Sequence, residues 1–407
     1  MSYKWEAEIN LENVFTLQPA RPVTYFGVGA LEKIKDIAGW LKGRGIDSIL
    51  IVTGKTSYKA TGAWDKVRPA LEEKGIQYTI FDEVRPNPTY ESCDKAAELA
   101  REVKAGAVLS IGGGSSHDTA KTVAALLHYP GKTAKELYEK IIVIEKAAPI
   151  ICINTTHGTG SEVDKFAVAQ SDGGYKPAIL GAALYPVFSI EDPILTKALP
   201  EKQTIATSLD ALNHAFEAAT TTVRNPYSKE LAMTAARLIY KWLPIARREP
   251  GNIIARYWLM YASAIAGIAF DIALLHLTHA LEHPLSALNP KISHGIGLAA
   301  LMPSVVKITY RVLPATSADF LRPIIPDLKG EPGEAEHAAV ELEKWLASVG
   351  SPEKLRDLGF TEQDVEKLTE NAMTSPGSPG LFNVAPVSVT RELVRSIYRE
   401  SLEPLSK

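Results

Sequence analysis

The sequence predicts an amino-terminal α/β domain built on a parallel sheet, followed by an all-α carboxy-terminal domain. Three observations carry this. The chain is 407 residues long, more than one ordinary core serves. Short β-branched runs alternate with helical periods up to about Asp192. From Pro200 onward there are long helical patterns and no convincing strand. The expected domains are 1–192 and 193–407.

In the first half, Val23–Phe26 leads into a glycine turn at Gly27 and Gly29. Ser48–Thr53, Tyr78–Asp82, Ala107–Ile111 and Ile150–Asn154 read as buried strands. Helices are expected at Ala63–Lys74, Tyr90–Val103 and Ser116–Leu127. In the second half helical periods cover Pro200–Thr220, Ser228–Leu243, Ile253–Leu275, Gly295–Thr309, Glu334–Val349, Thr361–Glu370 and Thr390–Leu402. Thr374–Pro386 is rich in Pro, Gly and Ser and reads as a loop.

Bulk properties exclude several classes. The chain is 46% hydrophobic and 22% charged, as a soluble globular protein is. A net charge of −3 argues against a nucleic-acid partner. Two cysteines, Cys93 and Cys152, do not make a disulfide scaffold and fit a reducing compartment. No apolar run follows Met1–Phe15, so a cytoplasmic protein without a signal peptide is expected. Trp258–Phe270 is strongly apolar but is broken by Asp271, which reads as a buried helix too short to span a membrane.

Two glycine-rich turns follow strands. Ser110–Lys121 reads SIGGGSSHDTAK, with Gly112, Gly113 and Gly114 between a strand and a helix beginning near Ser115. Glycine there permits positive φ and close backbone approach, and the helix start offers N–H groups to a phosphate. Thr155–Ser161 reads TTHGTGS and also follows a strand. Tight βα turns alone would need the same glycines, but two such turns in one parallel domain point to a Rossmann-like dinucleotide site. Neither is the G-x-G-x-x-G fingerprint or a Walker A loop.

The second half carries a metal pattern. Asp210 and His214 stand at i, i+4, and so share a helix face. His279 and His283 repeat that spacing, and His294 follows. A lone core histidine usually bonds a carbonyl, as expected of His276. Four donors in this pattern instead suggest a divalent metal on Asp210, His214, His279 and His294, with Zn²⁺ or Fe²⁺ both suited. Glu217 and Glu282 read as supporting or solvated groups. HALEH, residues 279–283, also matches the inverted zinc-peptidase motif H-x-x-E-H, with Glu282 as base. A peptidase has no use for the two glycine turns.

Taken in order, PVTYFGVGALEKI, FDEVRPNPTYE, SIGGGSSHDTAK, TTHGTGSEVDKFAV, EDPILTKALP, SLDALNHAFEA and HALEHPLSALNPKISHG resemble the iron-dependent (group III) alcohol dehydrogenases. That family lies in the superfamily of glycerol dehydrogenase and dehydroquinate synthase. The resemblance implies hydride transfer between a small alcohol or aldehyde and a nicotinamide dinucleotide, with iron as the metal and zinc possible, in a homodimer. It implies metal ligands at Asp210, His214, His279 and His294, and an active-site histidine at His283 that relays the hydroxyl proton. The pyrophosphate loop would be Gly112, Gly113, Gly114 and Ser115, supported by Asp118. The nicotinamide side would be Thr155, Thr156 and Thr159. A polyol oxidoreductase or a dehydroquinate synthase-like lyase shares the fold, but the lyase needs basic pocket residues and the stretch 279–294 offers only Lys291.

The sequence departs from the family in four places. His157 replaces a common Ala, the interval from His283 to His294 is one residue longer, and FNVAPVSVTRE lacks the usual Asn-Pro-Arg. The fourth bears on the cofactor. Where the family places Val-Thr-Asp after an early strand, this chain has Val52-Thr53-Gly54. An acid there would hold the ribose 2′-hydroxyl of NAD. Gly54, with Lys55, Ser57 and Lys59 following, suits a 2′-phosphate, so NADP is the expected cofactor, with NAD as the alternative.

Overall fold

The computed structural model describes residues 22–171 and 175–405. The stretch read for a signal peptide lies outside them. Two compact units emerge. One takes residues 22–200 together with Gly251–Met260, and the other takes Glu201–Pro250 and residues 261–405. The first unit thus extends past the boundary expected at 192 and recruits a short segment from the second half.

The first unit is a six-stranded parallel sheet. Its strands are β1 (Val23–Phe26), β2 (Ser48–Gly54), β3 (Gln77–Val84), β4 (Ala107–Gly112), β5 (Ile150–Asn154) and β8 (Phe188–Glu191). A small antiparallel pair, β6 (Phe166–Val168) and β7 (Ala178–Leu180), stands apart. The sheet order is β1-β8-β5-β4-β2-β3, all parallel. Strand alternation sends Leu50 and Val52 to one core, and Ile49 and Ile51 to the other. Helices α4 (Tyr90–Glu102), α5 (Gly114–Leu126) and α6 (Ala134–Tyr138) supply the first core; α1 (Ile34–Gly43), α2 (Ser57–Ala60) and α3 (Ala63–Glu73) supply the second. Each fully buried Ile, Leu or Val contributes about 1.5–3 kcal/mol.

From β2 the chain goes outward to β3, then returns to β4 on the other flank of β2. That reversal is a topological switch point, where ligands of such sheets bind outside the strand ends. Gly54 and Gly112 end the two strands that flank it, since Thr53 pairs with Ile111.

The second unit is helical: α7 (Glu201–Thr220), α8 (Pro226–Arg248), the later part of α9 (Ile253–Ala273), α10 (Leu277–Leu288), α11 (His294–Val312), α12 (Pro314–Leu321), α13 (Ala335–Ser348), α14 (Val365–Thr374), α15 (Ser378–Phe382) and α16 (Arg391–Glu400). The stretch read as a loop, Thr374–Pro386, contains α15, started by Pro379 in its first turn. Asp271 does not end α9. The helix runs 21 residues and is long and apolar enough to cross a membrane by length and composition. Shortness therefore does not distinguish this helix from a membrane span. Burial carries the core-helix reading instead, since 67% of its most apolar window is buried in the fold.

Candidate metal centre and dinucleotide-binding turns

Asp210 and His214 project from one face of α7, and both are buried. The link between α9 and α10 passes through Leu274, whose φ of 65° is left-handed and costs a branched residue roughly 1–2 kcal/mol. After it α10 presents His279, and α11 opens with His294. Gly295 lets α11 press on α7: a Cβ there would fall 1.8 Å from the carbonyl oxygen of Ala206, one turn before Asp210.

These elements converge on one carboxylate oxygen. Asp210 Oδ1 lies 3.4 Å from His214 Nε2, 3.7 Å from His279 Nε2 and 3.8 Å from His294 Nε2. Ligand atoms bound to one ion at about 2.0–2.2 Å lie roughly 3–4 Å apart. Asp210 Oδ1 and His279 Nε2 are buried without a hydrogen-bond partner among the described residues. Such orphans are expensive unless something else binds them. One carboxylate and three imidazoles fit a divalent metal such as Fe²⁺ or Zn²⁺; Asp210, His279 and His294 bring ligand atoms within 4.8 Å of one another, and His214 joins them through Asp210 Oδ1.

Two further carboxylates orient the rings. Glu217, one turn beyond His214, accepts from His279 Nδ1 and, at 2.6 Å, from the backbone N–H of Thr278. Glu282 accepts from His294 Nδ1. Bonding Nδ1 to a carboxylate turns Nε2 toward the metal position. Gly297 makes room, because a Cβ there would meet Glu282 Cγ at 2.9 Å. Burial would raise the carboxyl of Asp210, but its histidine neighbours outweigh it and hold it well below the usual range. Burial pushes His214 down to about 4 against the pull of Asp210. For His279 burial is overcome by Glu217 and Asp210, and its value rises to about 9.

His283 is half-buried, its ring centroid 6.5 Å from that of His279 and 5.9 Å from that of His294. It stands beside the Asp210 cluster and outside it. His276 bonds Thr220 Oγ1 at 2.9 Å as an ordinary core histidine. Glu282, committed to His294, is not placed as the base of a peptidase. Lys291 is exposed.

In the sheet unit, the two glycine turns interlock. β4 and β5 are neighbours, with Gly112 paired to Asn154. Gly113 is the N-cap of α5 and supplies no side-chain cap. None of Gly112, Gly113 and Gly114 has positive φ, so the expected reason for these glycines is corrected. Space is the reason. A Cβ on Gly113 would fall 2.7 Å from Thr156 Cγ2, one on Gly114 2.5 Å from Thr159 Cγ2, and one on Gly112 2.3 Å from Ser116 Oγ. Thr155 N–H donates to Gly112 O at 2.9 Å, and Ser161 Oγ to Asp118 Oδ1 at 2.7 Å. Asp118 therefore ties the turns together, with Ser115 half-exposed beside it at the helix start. Burial pushes the Asp118 carboxyl up to about 7.

Sequence reasoning missed the support beneath these turns. Asn154 Oδ1 accepts from Thr156 N–H at 3.1 Å, while its Nδ2 donates to Glu191 at 3.0 Å. The charge of Glu162 is felt at Glu191, and both are buried. His157 Nε2 lies 3.1 Å from Nη1 of Arg256 on α9. A polar residue closing an otherwise apolar strand, as in IICIN, is the available signal for Asn154. The others come from distant segments.

At the end of β2, Gly54 has ordinary φ, and a Cβ would meet only Ser57 Oγ at 3.4 Å and Val84 O at 3.6 Å. Lys55 is exposed, Ser57 half-buried, and Lys59 Nζ lies over the Tyr58 ring.

A parallel sheet with two interlocked glycine turns beyond its strand ends, beside a helical unit with an Asp-His donor set, is the arrangement expected of a metal- and nicotinamide-dependent oxidoreductase. The comparisons narrow the class. Residues 22–193 match the model of iron-containing alcohol dehydrogenase, and residues 204–402 match the carboxy-terminal model of the same family. Long-chain primary alcohol dehydrogenase AdhA of Thermoanaerobacter ethanolicus is 54% identical over 98% of this chain and 100% of its own. NADH-dependent butanol dehydrogenase A of Thermotoga maritima superposes with a TM-score of 0.87, at 30% identity over 96% of this chain and 99% of its own. An archaeal alcohol dehydrogenase from a Red Sea brine pool, ADH/D1, gives 0.89 at 28% identity over 97% and 100%. The chain belongs to the iron-containing alcohol dehydrogenase family, whose members are nicotinamide-dependent alcohol oxidoreductases.

Proposed function

We propose that the chain interconverts primary alcohols and aldehydes, favouring longer aliphatic chains, with Asp210, His214, His279 and His294 holding a divalent metal and the two glycine turns holding NADP(H). The observation that carries it is the convergence of three Nε2 atoms on the orphaned Asp210 Oδ1. When bound, the metal supplies Lewis acidity toward an alcohol or carbonyl oxygen, and the dinucleotide carries the hydride. Glu217 and Glu282 fix the rings of His279 and His294. His283 takes the hydroxyl proton on an imidazole nitrogen during oxidation and returns it during reduction. The Phe270 ring, 4.6 Å from that of His214, gives the centre an apolar flank.

The chain-length preference is supported by the 54% identity to a long-chain primary alcohol dehydrogenase. A methylene buried in an apolar pocket is worth up to about 0.8 kcal/mol, or roughly fourfold in kcat/KM. Absorbance of the reduced nicotinamide, followed from ethanol to octanol before and after chelation of the metal, tests the reading. A flat series sinks the chain-length preference, and activity that survives complete metal removal sinks the metal assignment. A homodimer, inferred from the resemblance, would show the mass of two chains in light scattering.

NADP is favoured by Gly54. Neither backbone conformation nor crowding demands glycine there. What its absent side chain spares is a negative charge at the switch point. Contacts to a 2′-phosphate worth about 1.5–3 kcal/mol would give roughly ten- to hundredfold preference. The butanol dehydrogenase relative is named for NADH, so the ratio of kcat/KM with the two cofactors is the deciding measurement. Parity, or a preference for NADH, refutes the reading. Gly54→Asp should lower kcat/KM with NADPH and spare it with NADH.

A further inference from the structure

The first residues of α9 are grouped with the sheet unit, and they carry a fully buried guanidinium, Arg256, to the second glycine turn. Its Nη1 is 3.1 Å from Nε2 of His157, also fully buried. A guanidinium only donates, so Nε2 accepts and the ring proton sits on Nδ1. Burial, aided by the arginine charge, holds His157 down to about 3, and the ring remains a neutral acceptor at working pH.

The turn is fastened near its ends by Thr155 N–H on Gly112 O and by Ser161 Oγ on Asp118. Between them Thr156 and Thr159 seat against Gly113 and Gly114. His157 lies between those two threonines. A shift of its ring toward or away from α9 moves both across the face of the glycine turn. Arg256, desolvated on a 21-residue helix, is a stiff anchor for it.

We infer that His157 is a positioning residue for the dinucleotide: by accepting from Arg256 it sets how closely Thr156 and Thr159 seat on Gly113 and Gly114, and so how well the two turns close on the cofactor. The inference rests on the reading that both turns hold the dinucleotide. It assigns a role to the one residue of TTHGTGS that departs from the family pattern.

The test is direct titration of the metal-loaded enzyme with NADPH and NADH, followed by nucleotide fluorescence, beside thermal midpoints and kcat at saturating cofactor. His157→Ala should raise Kd about tenfold or more, with kcat within about threefold. His157→Gln, whose Oε1 can accept from the same donor, should bring Kd back to within about threefold of wild type. The double variant His157→Ala/Arg256→Met removes the guanidinium as well as its acceptor. It should still bind weakly, since the bond that seats the turn is absent in both. An unchanged Kd in His157→Ala, a Gln variant as weak as the Ala variant, or a double variant with wild-type Kd would each overturn the inference. If His157→Ala does not fold, the Gln and double variants decide it. Gly113→Ala is the control for the site itself. A raised Kd there with none in His157→Ala removes only the role of His157. Unchanged binding in both removes the dinucleotide reading as well.

Discussion

The Asp210 carboxylate shows why single side chains separate into holders and helpers. Its Oδ1 is the common neighbour of three Nε2 atoms, whereas His283 stands off to one side. His279→Ala should therefore lose most bound metal, read by elemental analysis of purified protein. His283→Ala should keep its metal and lose roughly 10²–10⁴-fold in turnover. Metal retained by His279→Ala, or lost from His283→Ala, would exchange the two roles. Glu217→Gln should weaken metal binding about 10- to 100-fold, because the Nδ1 bond that aims His279 is lost or softened; a competition titration against a chelator measures it. Asp210 and His214 were legible as a pair in the sequence because i, i+4 spacing writes helix faces directly into it. Glu217 was legible only as an uncommitted acid. Arg256, Glu162 and Glu191 were not legible at all, since their partners lie far away in the chain and no local period links them.

Elements were legible where one residue pattern dominates. Ser48–Thr53 and Ile150–Asn154 are β-branched and buried on both faces, and both match strands nearly residue for residue. β8 escaped because its four residues include Ser189 and Glu191, buried polar groups that no strand pattern anticipates. β6 and β7, three residues each, are too short for periodicity to register. The contact of α11 with α7 was equally invisible, yet it positions His294. Gly295→Ala would force a Cβ to within 1.8 Å of a backbone oxygen of α7, and neither helix can yield locally. It should cost about 3 kcal/mol or more and reduce metal content together with stability. Gly297→Ala meets only the flexible Glu282 side chain. It should cost less in stability and act chiefly on metal affinity. Denaturant midpoints beside metal content separate the two, and equal losses of stability would refute the distinction.

At the scale of the whole molecule, the order sheet then helices was readable, but the composition of the units was not. Gly251–Met260 belongs with the sheet by contacts that no run of sequence announces. The sheet unit also buries an acid pair, Glu162 and Glu191, which makes its stability depend on pH. Burial raises both carboxyls above their ordinary value near 4.5, and Glu162 raises Glu191 further while Glu191 draws Glu162 partly back, so the folded state retains a proton that the unfolded chain releases. A carboxyl raised on folding contributes stability that is complete below its unfolded value and is lost as pH climbs through its folded value. Stability should therefore decline from about pH 5 toward pH 8, by an amount on the order of 1–3 kcal/mol from this pair. Glu162→Gln removes one of the two raised carboxyls and leaves an uncharged amide in its place at every pH. Asp118, also raised, is common to both proteins and cancels in the difference. The variant should lose ground to wild type near pH 5 and overtake it near pH 8, in urea midpoints measured on metal-loaded protein. Parallel pH curves for the two proteins would show that the pair does not carry the proton.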